Sequence, residues 1–203
     1  MKKLYLIAML LCFCAINAQA QTQDFNKIWT TVGSDGTVDE TDASKVFFNR
    51  SVVQMGSVLI GNQPAAGRRA SILPQTQSAV IRYNVTPVDG LFTPRPPAPS
   101  SRGIQLRLRF LDTGNSAQVV AKLIEVDLAT GVETARLTFN SNDFAAANSY
   151  QVQFKGECGS LWSFDFKGKA YYIEAILTLT RSRFVGNAAG IQMIKLDNDI
   201  CLG

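Results

Sequence analysis

Hydrophobic and polar residues alternate most regularly between Gly103 and Phe139. Ile104, Leu106, Leu108 and Phe110 interleave with Gln105, Arg107 and Arg109. A period of two marks a strand with one face in a core and one in water. Asp112-Thr113-Gly114-Asn115 breaks the run, and a second strand follows from Ala117 to Leu128. Ala129-Thr130-Gly131 breaks that one, and a third spans Val132 to Phe139. Three strands joined by short Gly-containing turns predict an antiparallel meander, with the rest of the chain packed around it. The near-continuous apolar content of Val119 to Val126 predicts a central strand.

Weaker alternation continues on both sides. Lys27 to Val32, with Trp29, predicts a short first strand, and Gly33-Ser34-Asp35-Gly36-Thr37 a turn. Val46 to Ile60 predicts one or two strands broken at Gly56, and Ala79 to Val85 another. Pro87, Pro94, Pro96, Pro97 and Pro99 make 87–101 an irregular connection, because proline cannot donate to a ladder. Ser141-Asn142-Asp143 predicts a cap for one helical turn over Phe144 to Ala147, in a crossover between sheets. Tyr150 to Phe154 alternates again, Leu161 to Phe166 is short and aromatic, and Lys167-Gly168-Lys169 reads as a tight hairpin. In the long strand Ala170 to Thr180, Tyr171 and Ile173 share one face and Tyr172 and Glu174 the other. Gly190 to Leu196 is the last strand. About nine to eleven short strands with little helix predict an all-β fold. The expected form is an antiparallel two-sheet β-sandwich, jelly-roll-like or immunoglobulin-like, with a closed barrel as the alternative. Residues 21–86 hold too few clear strands to close a core alone, so 21–203 reads as one domain.

The N-terminus changes where this fold is expected to reside. Lys2 and Lys3 precede the apolar run Leu4 to Ile16, and Ala18-Gln19-Ala20 supplies a small-x-small cleavage pattern. Residues 1–20 therefore read as a cleaved signal peptide, and the protein as secreted, periplasmic or at the cell surface. Neither Cys12 nor Cys14 follows a small residue, which argues against lipidation. No second apolar run reaches membrane length. Cys158 and Cys201 remain, and an even pair in an exported chain predicts a disulfide. It would close about 44 residues and contribute about 4 kcal/mol in the chain-entropy model.

Losing Lys2 and Lys3 lowers the formal net charge from +4 to +2. Such a balance gives no case for nucleic acid as a partner. The chain has no histidine, which removes the Ser-His-Asp triad, the Cys-His dyad and histidine metal sites. Neither mature cysteine has the setting of a nucleophile, and no cofactor is implied. Acids cluster between Asp35 and Asp42 without the spacing of a calcium loop, so they read as a solvated segment. Carboxylate-pair catalysis would need two acids across one cleft. Glu125, Glu133, Glu174 and Asp165 read as outward-facing, with no spacing that selects a pair and with Lys122, Arg136 or Lys169 as neighbouring countercharges. Asn49 and Asn84 begin Asn-x-Ser/Thr triplets that chance explains.

Binding chemistry fits the residues better than catalysis does. Trp29, Tyr172, Tyr150 and Trp162 are the aromatic side chains available to stack on a sugar ring, with Tyr172 expected outside and Trp162 expected against the disulfide. The chain therefore reads as an exported, non-catalytic binding module for an extracellular glycan or protein surface. A structural subunit of a surface or matrix layer, capable of self-association, is the second reading. A carboxylate-based glycoside hydrolase or lyase is the third.

Overall fold

In the computed structural model, the residues described are 29–55, 76–87, 102–114, 116–157, 164–180 and 188–200. The expected signal peptide, Cys158, Cys201, Trp162 and all but Pro87 of the proline-rich connection lie outside them. The strands are β1 (Trp29–Val32), β2 (Thr37–Val38), β3 (Val46–Asn49), β4 (Val52–Met55), β5 (Thr76–Asn84) and β6 (Arg102–Asp112). They continue with β7 (Ala117–Asp127), β8 (Glu133–Asn140), β9 (Ala147–Glu157), β10 (Lys169–Thr180) and β11 (Ala189–Ile200). Among the described residues there is no α-helix, only short 3-10 turns, and no helix long and apolar enough to cross a membrane.

The strands form two antiparallel sheets. Sheet A runs β3-β4-β11-β6-β9, with β1 also pairing β11, and sheet B runs β2-β5-β10-β7-β8. From β4 onward the pairs nest: β7 with β8, β6 with β9, β5 with β10 and β4 with β11. A long hairpin rolled so that its outer and inner pairs share sheets gives this order, and it is the jelly-roll connectivity. No ladder among the described residues joins the two sheets, so the barrel alternative is not formed. Leu106, Leu108 and Phe110 of sheet A pack with Ile81, Leu123, Ile173 and Leu177 of sheet B in one fully buried core.

The expected meander is corrected here. Only β7 and β8 pair, with Leu123 opposite Leu137; β6 lies in the other sheet, between β11 and β9. The break after β6 is a corner between sheets, and Asp112 shows why. Its buried carboxylate accepts from Gly114 N at 2.9 Å and from the Ser141 hydroxyl. Ser141 Oγ in turn accepts from Val119 N at 2.8 Å. One carboxylate thus ties the end of β6, the start of β7 and the β8–β9 crossover. That crossover turns at a 3-10 helix, Ser141–Asp143, and not at the expected helical turn over Phe144 to Ala147. Phe144 stacks on Phe139 at 5.3 Å, and Phe139 meets Phe110 edge-on at 5.2 Å, so packing draws the chain down at this point.

Two local devices complete the roll. Gly33 joins β1 to the crossing toward β2, and a Cβ there would sit 2.0 Å from the Ile191 carbonyl oxygen, so only glycine lets this crossing lie against β11. On the edge of β5, Asp42 takes over where β2 ends. Its carboxylate accepts from Val80 N at 3.0 Å and from Lys45 Nζ, while Lys45 also donates to Ser78 O. The acidic segment therefore shields a sheet edge, with Asp39 held by Arg82 at 3.0 Å.

Asp112→Ala should lower unfolding stability by about 2–3 kcal/mol, because it strands a buried hydroxyl and one backbone donor; a urea titration showing no loss would refute the corner's role. The Lys45 and Val80 hydrogen bonds hold the Asp42 carboxyl below its usual range. A depressed folded-state value stabilises above the unfolded pKa and is lost as pH falls through the folded one. Asp42→Asn should therefore melt below wild type at pH 7, with the gap closing below about pH 4. A gap that persists unchanged in acid would contradict this.

Candidate binding face

The ladder that joins β9 to β6 reverses the usual order of inside and outside. Leu106, Leu108 and Phe110 point into the core, and opposite them on β9 stand Lys155, Gln153 and Gln151. The apolar residues of β9 are therefore on the other face. Phe154 lies opposite Arg107 and Val152 opposite Arg109, and they are 52% and 47% exposed. Sequence alternation predicts the strand but not which face it turns inward. Gln151 and Gln153 suit the open margin of the sandwich, where Gln151 Nε2 donates to Ala145 O at 2.9 Å.

Phe154 begins a surface that crosses sheet A. The Arg107 guanidinium stacks over its ring at 5.6 Å from the centroid. Lys195 of β11 stands opposite Arg107, and Met193 opposite Arg109. One row further along, Tyr150 leaves β9 and reaches across the sheet to β4, where Gln54 Nε2 donates to its hydroxyl at 2.6 Å. It can do so because Gly190 intervenes on β11. A Cβ there would lie 2.9 Å from the Tyr150 hydroxyl and 2.7 Å from Gln54 Cγ. Burial pushes the Tyr150 phenol above its usual pKa, and the Gln54 hydrogen bond opposes that rise, so the ring is a neutral fixture of the face. Phe47 of β3, opposite Gln54 and exposed, closes the far side. The result is a sheet surface with aromatic flanks and a floor of guanidinium, ammonium and amide donors.

Of the four aromatic residues expected to stack on sugar, Tyr150 lies on this face and Trp162 lies outside the described residues. Trp29 is a correction: it is 6% exposed, because β1 turns it into the core beside Leu196's position in the ladder, and it offers no ring to solvent. Tyr171 is buried and Tyr172 half-exposed, as alternation requires. However, Tyr172 lies on sheet B, on the opposite side of the sandwich. It donates to Glu133 at 3.1 Å, and burial followed by the Glu133 hydrogen bond raises its pKa. Phe154, Phe47 and Arg109 were missed in the sequence, where an inverted edge strand looks the same as an ordinary one.

Each of the four candidate carboxylates has a partner within the protein, Glu133 accepting from the Tyr172 hydroxyl. Glu125, expected outward, is only 4% exposed and faces the core side, where Arg136 grips it bidentately at 2.6 and 3.1 Å and Lys169 also bonds it. A register shift in β8 at Arg136 lets this side chain reach inward. Glu174 lies between Lys122 at 3.7 Å and Arg82 at 4.0 Å, the countercharge pattern expected of a sheet surface. Asp165 caps the turn before β10, accepting from Lys167 N and Gly168 N. Among the described residues no group of three or more His, Cys, Asp or Glu side chains gathers as metal ligands would.

No family model matches the chain, and no curated protein does. Solved structures give distant similarities. A family two carbohydrate esterase from Cellvibrio japonicus aligns over 87% of this chain with 10% identity and a TM-score of 0.35; the aligned part is 35% of the esterase chain. The C-terminal CBM6 of LamC from Zobellia galactanivorans aligns over 84% of this chain and 99% of its own, at 9% identity and a TM-score of 0.33. A structure of infectious bursal disease virus, Gx strain, aligns at 11% identity and 0.34, over 86% of this chain and 32% of its own. At such values none carries a functional argument, and the fold rests on this chain's own strand order.

The inversion of β9 has a direct thermodynamic signature. Phe139→Ala in the core should cost about 3–5 kcal/mol, whereas Phe154→Ala should stay within about 1 kcal/mol of wild type. Equal losses in denaturant titrations would place Phe154 inside and contradict the face as described.

Proposed function

We infer that the protein is an exported, non-catalytic module that holds an extracellular polymer, foremost a glycan, on the outer face of sheet A. The observation that carries this is the reversed amphipathicity of β9. A folded domain gains by burying Phe154, Val152 and Phe47, and here they stand in water around a hydrogen-bonding floor. Aromatic rings pack on the C–H faces of sugars, and the Arg, Lys and Gln donors between them suit ring substituents. The absence of histidine and the pairing of Glu125 and Glu174 with cations support binding over hydrolysis. Export rests on the basic and apolar pattern of residues 1–20 and the Cys158–Cys201 pair. Assembly with further copies has one observation in its favour. Among the described residues β9 pairs only with β6, leaving the other edge of an eleven-residue strand for another chain.

The test is retention on a panel of polysaccharides, with Phe154→Ala, Tyr150→Ala and Tyr172→Ala beside the wild type. The expected result is retention on at least one polymer, reduced about tenfold or more by the first two variants and unchanged by Tyr172→Ala, which lies on the other sheet. Loss through Tyr172→Ala alone would move the site to sheet B. Failure to bind any polymer, with concentration-dependent growth in sedimentation, would favour assembly.

A further inference from the structure

We propose that the polymer held on sheet A is an extended polysaccharide chain, lying across the strands and bound through at least four consecutive sugar units; this rests on the reading of that face as a glycan-binding surface. The ladders fix where the two flanks stand. In the order β3-β4-β11-β6-β9, Phe47 is on the first strand and Phe154 on the last. Four interstrand steps of about 4.8 Å separate them, about 19 Å in all. The same ladders give the offset along the strands. Phe154 lies opposite Arg107. Phe47 lies opposite Gln54, Gln54 opposite Gly190, and Gly190 opposite Leu111. Arg107 and Leu111 are four residues apart on β6, an offset of about 13 Å. The two exposed rings therefore stand on a diagonal roughly 20 Å or more in length.

Groups able to meet a sugar continue along that diagonal. Val152 is exposed beside Phe154 on β9, opposite Arg109, and Met193 lies opposite Arg109 on β11. The Tyr150–Gln54 crossing follows before Phe47, held by the hydrogen bond at 2.6 Å. All of these side chains leave strands, so their spacing is set by the sheet and a ligand must match it with its own length. A pyranose ring is about one strand spacing wide, so a monosaccharide reaches one flank only. One ring contact alone gives weak binding. A chain that is held at one flank meets the next group intramolecularly, and its contacts add up. An extended β-1,4-linked chain advances by about one strand spacing, roughly 4.8 Å, per unit, which places about one sugar over each strand. An α-1,4-linked glucan coils back within the same number of units and cannot touch both flanks.

The experiment is a calorimetric titration of the purified protein with size-fractionated β-1,4-linked oligomers of glucose, xylose, mannose, N-acetylglucosamine and mannuronate, from dimer to octamer, with α-1,4-linked glucose oligomers as the coiled control. Retention on the parent polymers is measured beside it, and Phe47→Ala, Phe154→Ala and Tyr172→Ala are compared with wild type. The expected result is that at least one β-1,4-linked series binds, with the hexamer at least about tenfold tighter than the dimer and little gain from further units. Phe47→Ala and Phe154→Ala should each weaken the hexamer about fivefold or more, while at most one of them affects the dimer. Both variants should melt with wild type, because the rings are exposed. A dimer bound as tightly as the hexamer would overturn the extended chain and leave the glycan-binding face standing. So would equal binding of the α-1,4-linked hexamer, or retention on a parent polymer with no binding of any oligomer. Hexamer binding lost in Tyr172→Ala and kept in the other two variants, or no binding of any oligomer or polymer, would overturn both readings.

Discussion

A single buried carboxylate decides how this chain rolls up. Asp112 ends β6 and, instead of opening a hairpin, satisfies the Gly114 amide and the Ser141 hydroxyl, which in turn holds the Val119 amide. A charge in this position is costly unless every lone pair has a partner. One partner, Gly114, is two residues on and the other, Ser141, is 29 residues on, so the carboxylate is satisfied only when the β8–β9 crossover sits beside the end of β6. Once that corner is set, β7 pairs β8, β6 pairs β9, and the outer pairs close over them in turn.

The same corner explains the exposed face. Because β9 follows the crossover into sheet A as an edge strand, half of it meets the thinning margin of the core, where Gln151 and Gln153 are tolerated. Its apolar half is turned outward to Val152 and Phe154. Across the sheet, Gly190 leaves room for Tyr150 to reach Gln54. Rigid strands, not loops, therefore present the aromatic and cationic groups, and little ordering is left for a ligand to impose.

The amount legible from sequence followed the range of the interactions concerned. Period-two alternation placed β6, β7, β8 and β10 nearly to the residue, since it records one buried face directly. The two-sheet sandwich followed from strand number and spacing. The pairing did not, because Asp112-Thr113-Gly114-Asn115 reads as a hairpin locally and becomes a corner only through Ser141, 29 residues away. Glu125 was misplaced for a related reason: the shift at Arg136 delivers its countercharge to the inner face. Trp29 looked available for stacking, but its pairing with β11 commits it to the core. Tyr150 was found as an aromatic residue, yet its role depends on Gly190 and Gln54, which no local pattern links to it.

The outer face of sheet A is tested most directly by a backbone chemical-shift titration of the isotopically labelled protein with a short oligosaccharide cut from a polymer that retains it. Shifts should cluster on the outer face of sheet A, at Arg109, Val152, Phe154, Met193 and the Tyr150–Gln54 crossing, and leave sheet B unmoved. Shifts centred on Tyr172, Glu174 and Thr178 of sheet B, or none at saturating oligosaccharide, would contradict it.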